Sequence, residues 1–218
     1  MNSTPFPHQF IAIEGNIGAG KTTLSKMLAE QFDARLILEQ FTDNPFLPFF
    51  YENSERYAFP VELFFMTERH KQLQEELSQS SLFHQLTVSD YFFMKTLLFA
   101  RNNLNQEEFR LFQRLFKVLN SSFKKPDILV YLHRSVDILL DNIQARGRDF
   151  EQDITADYLL QLQQTYFDYF KMETEIPILV IDLETSNFQQ NNEEYQHLLA
   201  LLSQQYTKGT HHIRFSAV

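Results

Sequence analysis

Short apolar runs rich in β-branched residues alternate along this chain with longer amphipathic stretches, the pattern of parallel strands joined by crossover helices. Runs at 10–14, 35–39, 86–90, 127–132 and 177–181 predict five strands. Between them the apolar period lengthens: Leu63, Met66, His70, Leu73 and Leu77 recur at three- and four-residue steps, as do Phe112, Phe116, Leu119 and Phe123. These predict long helices over 62–77 and from Phe109 onward. The second helix also carries Leu111, Leu115 and Val118 on a flank, a breadth that suits cover on two sides, within the monomer or against another subunit. The fold predicted is α/β, a five-stranded parallel sheet flanked by helices in three layers, with ligands at the carboxyl ends of the strands. No repeat or low-complexity linker divides the chain, so 1–218 is expected to be one domain. The polar stretch 186–192 reads as a loop and 206–218 as a weakly ordered tail.

Composition narrows the partners. Nineteen Lys+Arg against 28 Asp+Glu give a net charge of −9, which argues against a nucleic-acid polymer but not against a small anion held by a few local cations. There is no cysteine, so disulfide and thiolate chemistry are excluded. No apolar run reaches the roughly 18 residues of a membrane span, and the first nine residues lack the regions of a signal peptide; a cytoplasmic protein is the expectation.

The most specific motif is Gly15-Asn16-Ile17-Gly18-Ala19-Gly20-Lys21-Thr22, which matches G-x-x-x-x-G-K-[ST] at every fixed position between a predicted strand and a helix continuing through Thr23. In this P-loop, backbone N–H groups and the helix N-terminus face phosphate oxygens, Lys21 reaches the β/γ-phosphates and Thr22 can ligate Mg²⁺. A bound nucleoside triphosphate follows, but not yet an activity.

The other strand ends must supply the chemistry. Glu39 closes the run Leu36-Ile37-Leu38, where a carboxylate can orient an attacking hydroxyl and accept its proton. Asp90 closes the third run; it is either a partner of Mg²⁺ or the N-cap of the next helix. Arg146-Gly147-Arg148 fits a lid over the transferring phosphoryl group, or a solvated turn. Glu62 and Arg69, seven residues apart, stand two turns apart on one helix face, about 10 Å along the axis. They could bridge a flat heterocycle or form a solvent-facing ionic stripe.

Taken together, the residues from 10 to about 170 resemble the deoxyribonucleoside kinase family, P-loop enzymes that transfer the ATP γ-phosphate to the 5′-hydroxyl of a deoxynucleoside. The anchors are the loop from Gly15 to Thr23, Glu39 with Asn44-Pro45-Phe46-Leu47, Phe49-Phe50-Tyr51, Ala58-Phe59-Pro60-Val61-Glu62, and Arg146-Gly147-Arg148-Asp149-Phe150-Glu151-Gln152. The resemblance implies a P-loop NTPase-type fold with a lid, ATP and Mg²⁺, and a homodimer. It also implies Glu39 as general base, Tyr51 with Glu151 on the 3′-hydroxyl, Glu62 and Arg69 on the base, and Arg146 and Arg148 as lid arginines; Phe59 is either an aromatic wall near the base or a plain core Phe, one of 23 phenylalanines.

Two departures carry consequences. The family follows its acidic strand-end residue with Arg and Ser, whereas Asp90 is followed by Tyr91-Phe92-Phe93. Lys95 is the cation available to replace that Arg, as a point charge in place of a fork. The second departure is Glu62 where the family has Gln. An ionised carboxylate only accepts hydrogen bonds, so guanine, with adjacent N1–H and N2–H₂ donors, suits it better than adenine or cytosine. The expected activity is therefore a deoxynucleoside kinase favouring purines, deoxyguanosine first. A nucleoside monophosphate kinase and a regulatory nucleotide-binding module are the competing readings.

Overall fold

A computed structural model describes residues 6–39, 43–78, 84–184 and 186–215, with the side chains of Tyr51, Glu52 and Phe150 outside that description. Strands β1 (Phe10–Gly15), β2 (Arg35–Ile37), β3 (Thr87–Ser89), β4 (Ile128–His133), β5 (Pro177–Asp182) and β6 (Gly209–Arg214) form one parallel sheet in the order β2-β3-β1-β4-β5-β6. Helices α1 (Lys21–Phe32), α2 (Leu47–Glu52), α3 (Ser54–Ser78), α4 (Met94–Asn103), α5 (Gln106–Asn120), α6 (Val136–Arg146), α7 (Ala156–Met172) and α8 (Asn192–Leu202) surround it.

The central strands are apolar at nearly every position because both sheet faces are covered. Successive side chains point to opposite faces, and the cores divide accordingly. Ile11, Ile13, Val130, Leu132, Leu179 and Ile181 meet Leu24 and Leu28 of α1, Leu139 of α6 and Leu198 of α8. Their neighbours Ala12, Leu129, Tyr131, Ile178 and Val180 meet Leu98 of α4 and Leu162, Tyr166 and Phe170 of α7. A third cluster joins Met66 and Leu73 of α3 to Phe93, Phe112 and Phe116. Phe112 and Phe116 are thus the inward face of α5, and Leu111, Leu115 and Val118 are its exposed flank.

The sheet has six strands, not five. Residues 209–214, expected within a weakly ordered tail, pair with β5 from Gly209 opposite Pro177 to Arg214 opposite Asp182. Main-chain hydrogen bonding on one edge holds them, and Phe215 is anchored in the core against His197. The polar Thr210, His211 and His212 fit a half-exposed edge strand, whose outer face needs no apolar residues. Residues 216–218 lie outside the described residues. No helix among the described residues is long and apolar enough to cross a membrane.

Candidate active site

The phosphate loop runs from the end of β1 into α1. Gly15 and Gly18 have φ of +156° and +82°, and neither tolerates a side chain. A Cβ on Gly15 would stand 2.9 Å from the Leu132 carbonyl oxygen, and one on Gly18 would stand 2.7 Å from that of Leu139. The loop is thereby packed flat against β4 and α6. Lys21 Nζ donates to the carbonyls of Gly15 at 3.0 Å and Asn16 at 2.8 Å, which holds the ammonium over the loop. Burial, then the nearby Lys95 charge, bring its pKa down to about 8.

A chain of hydrogen bonds leads from this loop to the next strand ends. Thr22 Oγ1 donates to Asp90 Oδ2 at 2.6 Å, and the Glu39 backbone N–H donates to Asp90 Oδ1 at 2.7 Å. Asp90 follows β3 and Glu39 follows β2, so a strand-end acid from each converges on the helix that the loop opens. Asp90 does not cap α4: that helix begins at Met94, and its N-cap position is Phe93.

Glu39 is held by two cations. Arg69 donates to Oε1 from Nε at 2.8 Å and from Nη2 at 2.7 Å, and Lys95 binds Oε2. Burial would raise the Glu39 carboxyl, but Lys95 and Arg69 together outweigh it and hold the group far below the usual carboxylate range. Arg69 in turn donates to Thr96 Oγ1 at 3.2 Å and lies over the Phe65 ring, 4.9 Å from its centre.

Beyond Glu39 opens a cleft of about 710 Å³, counted out to its mouth. Phe65 and Phe99 supply its aromatic surface, Glu62 and Asn103 its polar floor, and Arg148 and Glu151 one wall. Glu62 is 2 % exposed; Asn103 Nδ2 donates to its Oε1 at 2.6 Å, while its Oε2 has no hydrogen-bond partner among the described residues. Burial pushes the Glu62 carboxyl up to about 7 against the opposing effects of Arg69 and Asn103. On the other side of the loop lies an open groove of about 1640 Å³ bounded by Lys21, Arg134, Asn142, Arg146 and Gln189.

The lid begins where α6 ends at Gly147. Its left-handed φ of +65° lets its N–H close the helix onto the carbonyls of Ile143 and Gln144, which ends α6 there. Arg146 and Arg148 both pair with Glu151, in a 3₁₀ turn at Asp149–Glu151, and Arg148 borders cleft and groove alike.

The structure therefore brings Lys21, Thr22, Asp90, Glu39, Arg69, Lys95 and the lid into one contiguous site, with Glu62 and Glu151 in the adjoining cleft. Of the sequence-predicted positions, Phe59 takes the core alternative. Phe59 does not line the cleft; it faces the third core cluster, edge-on to Phe112 at 6.5 Å, and Phe65 and Phe99 take the aromatic positions instead. Glu62 and Arg69 are both buried, so they form no solvent-facing stripe, and Arg69 donates to Glu39. Glu151 is engaged by the lid arginines. The Tyr51 side chain lies outside the described residues.

Sequence reasoning missed Asn103 and Arg134. Applying the strand-end rule to β4 would have found Arg134, one residue past His133, with Nη1 donating to the Leu183 carbonyl at 2.9 Å. Asn103 carries no such signal, since an Asn at a helix end ordinarily reads as a terminator.

Three comparisons bear on this geometry. The family model described as deoxynucleoside kinase matches residues 11–206. A deoxyguanosine kinase of Bacillus subtilis (strain 168) is 34% identical over 204 residues, 92% of this chain and 97% of the relative. A deoxyadenosine kinase of Lactobacillus acidophilus is 29% identical over 205 residues, 88% of this chain and 93% of the relative. Among solved structures, deoxyadenosine kinase from M. mycoides with bound dCTP superposes with a TM-score of 0.73 at 23% identity. It covers 88% of this chain and 100% of its own, a likeness of fold.

Proposed function

The chain belongs to the deoxynucleoside kinase family and is an ATP-dependent phosphotransferase, and on that premise we propose a purine deoxynucleoside kinase that favours deoxyguanosine. The observation that carries the reading is Glu39. It stands at the meeting point of the phosphate loop, through Asp90 and Thr22, and the cleft, through Arg69 and Lys95.

In this reading ATP lies in the groove, with its phosphates on the loop N–H groups and Lys21. The deoxynucleoside occupies the cleft with its 5′-hydroxyl at Glu39. A carboxylate paired with two cations is a weak base, which suits phosphoryl transfer, where positioning and charge stabilisation dominate and the proton leaves late. Glu39 orients the hydroxyl and accepts its proton, while Lys95 supplies the charge that the family draws from Arg. Arg146 and Arg148 exchange Glu151 for the transferring group, and Glu151 with Tyr51 holds the 3′-hydroxyl.

Thr22 and Asp90 are the residues that would hold Mg²⁺. They fit it: both offer hard oxygens 2.6 Å apart, and burial raises the Asp90 carboxyl, a cost that a cation relieves. Among the described residues no cluster of three or more His, Asp or Glu side chains forms an all-protein cage, and Mg²⁺ commonly relies on one or two carboxylates plus phosphates. Bound there, it would offset phosphate charge.

Glu62 favours guanine when ionised and, with its pKa near neutrality, admits adenine when protonated. The named deoxyguanosine and deoxyadenosine kinases among the relatives support a purine. The exposed flank of α5 at Leu111, Leu115 and Val118 supports a homodimer, and the lack of cysteine suits a cytoplasmic setting. A nucleoside monophosphate kinase, which needs a further cationic pocket for its acceptor phosphate, is disfavoured because the cleft cations Arg69 and Lys95 are both paired with Glu39.

A panel of the four deoxynucleosides with ATP tests the proposal. Deoxyguanosine should have the highest kcat/KM, and Glu62→Gln should lower the deoxyguanosine to deoxyadenosine ratio about tenfold, the scale of one charge-assisted hydrogen bond. A clear preference for thymidine or deoxycytidine would refute it.

A further inference from the structure

Glu62 in the cleft is anchored by a residue outside the site as sequence reasoning drew it. Asn103 is the last residue of α4, and its side-chain amide is fixed at both ends. Its Oδ1 accepts from Asn102 Nδ2 at 3.3 Å, and its Nδ2 donates to Glu62 Oε1 at 2.6 Å. The orientation follows from chemistry, since an ionised carboxylate can only accept and so demands the nitrogen end of the amide. A carboxylate has about four acceptor positions, so one oxygen can take Asn103 and still serve a ligand. The other, Oε2, is buried beside the cleft with no hydrogen-bond partner among the described residues.

We propose that Asn103 is a specificity-determining residue: its amide holds Glu62 as an oriented, ionised acceptor and so selects a base with adjacent N–H donors over one with an acceptor beside its amino group. This rests on the reading of Glu62 as the base-facing group. The charged groups acting on Glu62 are Arg69 from its own helix, Lys95 from α4 and Glu39 beyond β2. Arg69 and Lys95 favour the ionised form, but both are neutralised in part by their pairing with Glu39, which opposes it. Asn103 is the neighbour that favours the carboxylate by direct contact. Without it, burial pushes the Glu62 carboxyl further up, toward the protonated form with one donor and one acceptor as in Gln.

The test is the deoxyguanosine to deoxyadenosine ratio of kcat/KM, measured from pH 6 to 9. In the unaltered enzyme it rises with pH as Glu62 loses its proton. Asn103→Leu should lower the ratio about tenfold at pH 7.5 and move the midpoint of its rise up by about one pH unit. Asn103→Asp keeps the shape but replaces the donor with an acceptor, and should lower the ratio at least as far. In a Glu62→Gln background, Asn103→Leu should leave the ratio within about twofold, because the carboxyl it acts through is gone. If Glu62→Gln moves the ratio while Asn103→Leu and Asn103→Asp do not, or if they weaken all substrates equally, the inference is wrong. If Glu62→Gln itself leaves the ratio unmoved, the reading of Glu62 falls and the inference falls with it.

Discussion

At the phosphate loop the working groups belong to the backbone: Gly18 packs too closely on Leu139 for any Cβ, and Lys21 is held by main-chain carbonyls. Across Glu39 the cleft is made of side chains that hold one another, Arg69 and Lys95 on Glu39, Asn103 on Glu62, the lid arginines on Glu151. The first construction recognises a triphosphate, which is the same whatever the acceptor. The second is set by pairings among side chains, each group by its partner. Lys95, in the first turn of α4, reaches the Glu39 carboxylate from that side.

If the two halves meet at Glu39, Glu39→Gln should have the largest effect. We expect kcat to fall about 10³-fold, within the span of general acid–base contributions, with the KM for ATP changed less than about threefold. Steady-state kinetics with ATP and deoxyguanosine checks this, and a fall confined to ATP binding would mean that Glu39 belongs to the loop alone.

Lys95→Ala sharpens the comparison from the cleft side. It should lower kcat about 10²-fold, a larger loss than the roughly tenfold expected for Arg148→Ala, since Lys95 touches Glu39 and Arg148 is half-exposed. The pH profile gives a second readout. In the unaltered enzyme Glu39 stays ionised down to about pH 5 and below, so it contributes no acid limb in the ordinary assay range. Lys95 is the foremost charge holding it down, and without it Arg69 alone opposes the upward push of burial, so the Glu39 carboxyl should titrate at higher pH. An acid limb should then begin to enter the assay range. An unchanged kcat and profile would leave Lys95 with a structural role only.

Much of the donor half was legible in the sequence because backbone geometry restricts residue type: a loop with positive φ and close packing needs Gly, and a strand before it needs apolar residues on both faces. Glu39 and Asp90 were legible for a related reason, as polar residues directly after buried runs. The acceptor half was only partly so. Phe59 belongs to an aromatic-rich helix core, and in a chain with 23 phenylalanines spacing does not say which ring faces a cleft and which faces Phe112. Arg69 was placed on the right face of α3, but its partner comes from another strand and depends on tertiary geometry. Asn103 reaches Glu62 over 41 positions, a contact no local pattern encodes. The strand at Gly209–Arg214 escaped notice because an edge strand is held by main-chain bonds and needs little apolar alternation.

The central claim is that phosphate leaves the loop only for a hydroxyl held at Glu39, and ADP release under saturating MgATP tests it most directly, with and without deoxyguanosine. Glu39 is already occupied by Arg69 and Lys95 and is a weak activator of water, so release without acceptor should be at least about 100-fold slower than with it. ADP release that proceeds equally fast without any deoxynucleoside would contradict the account.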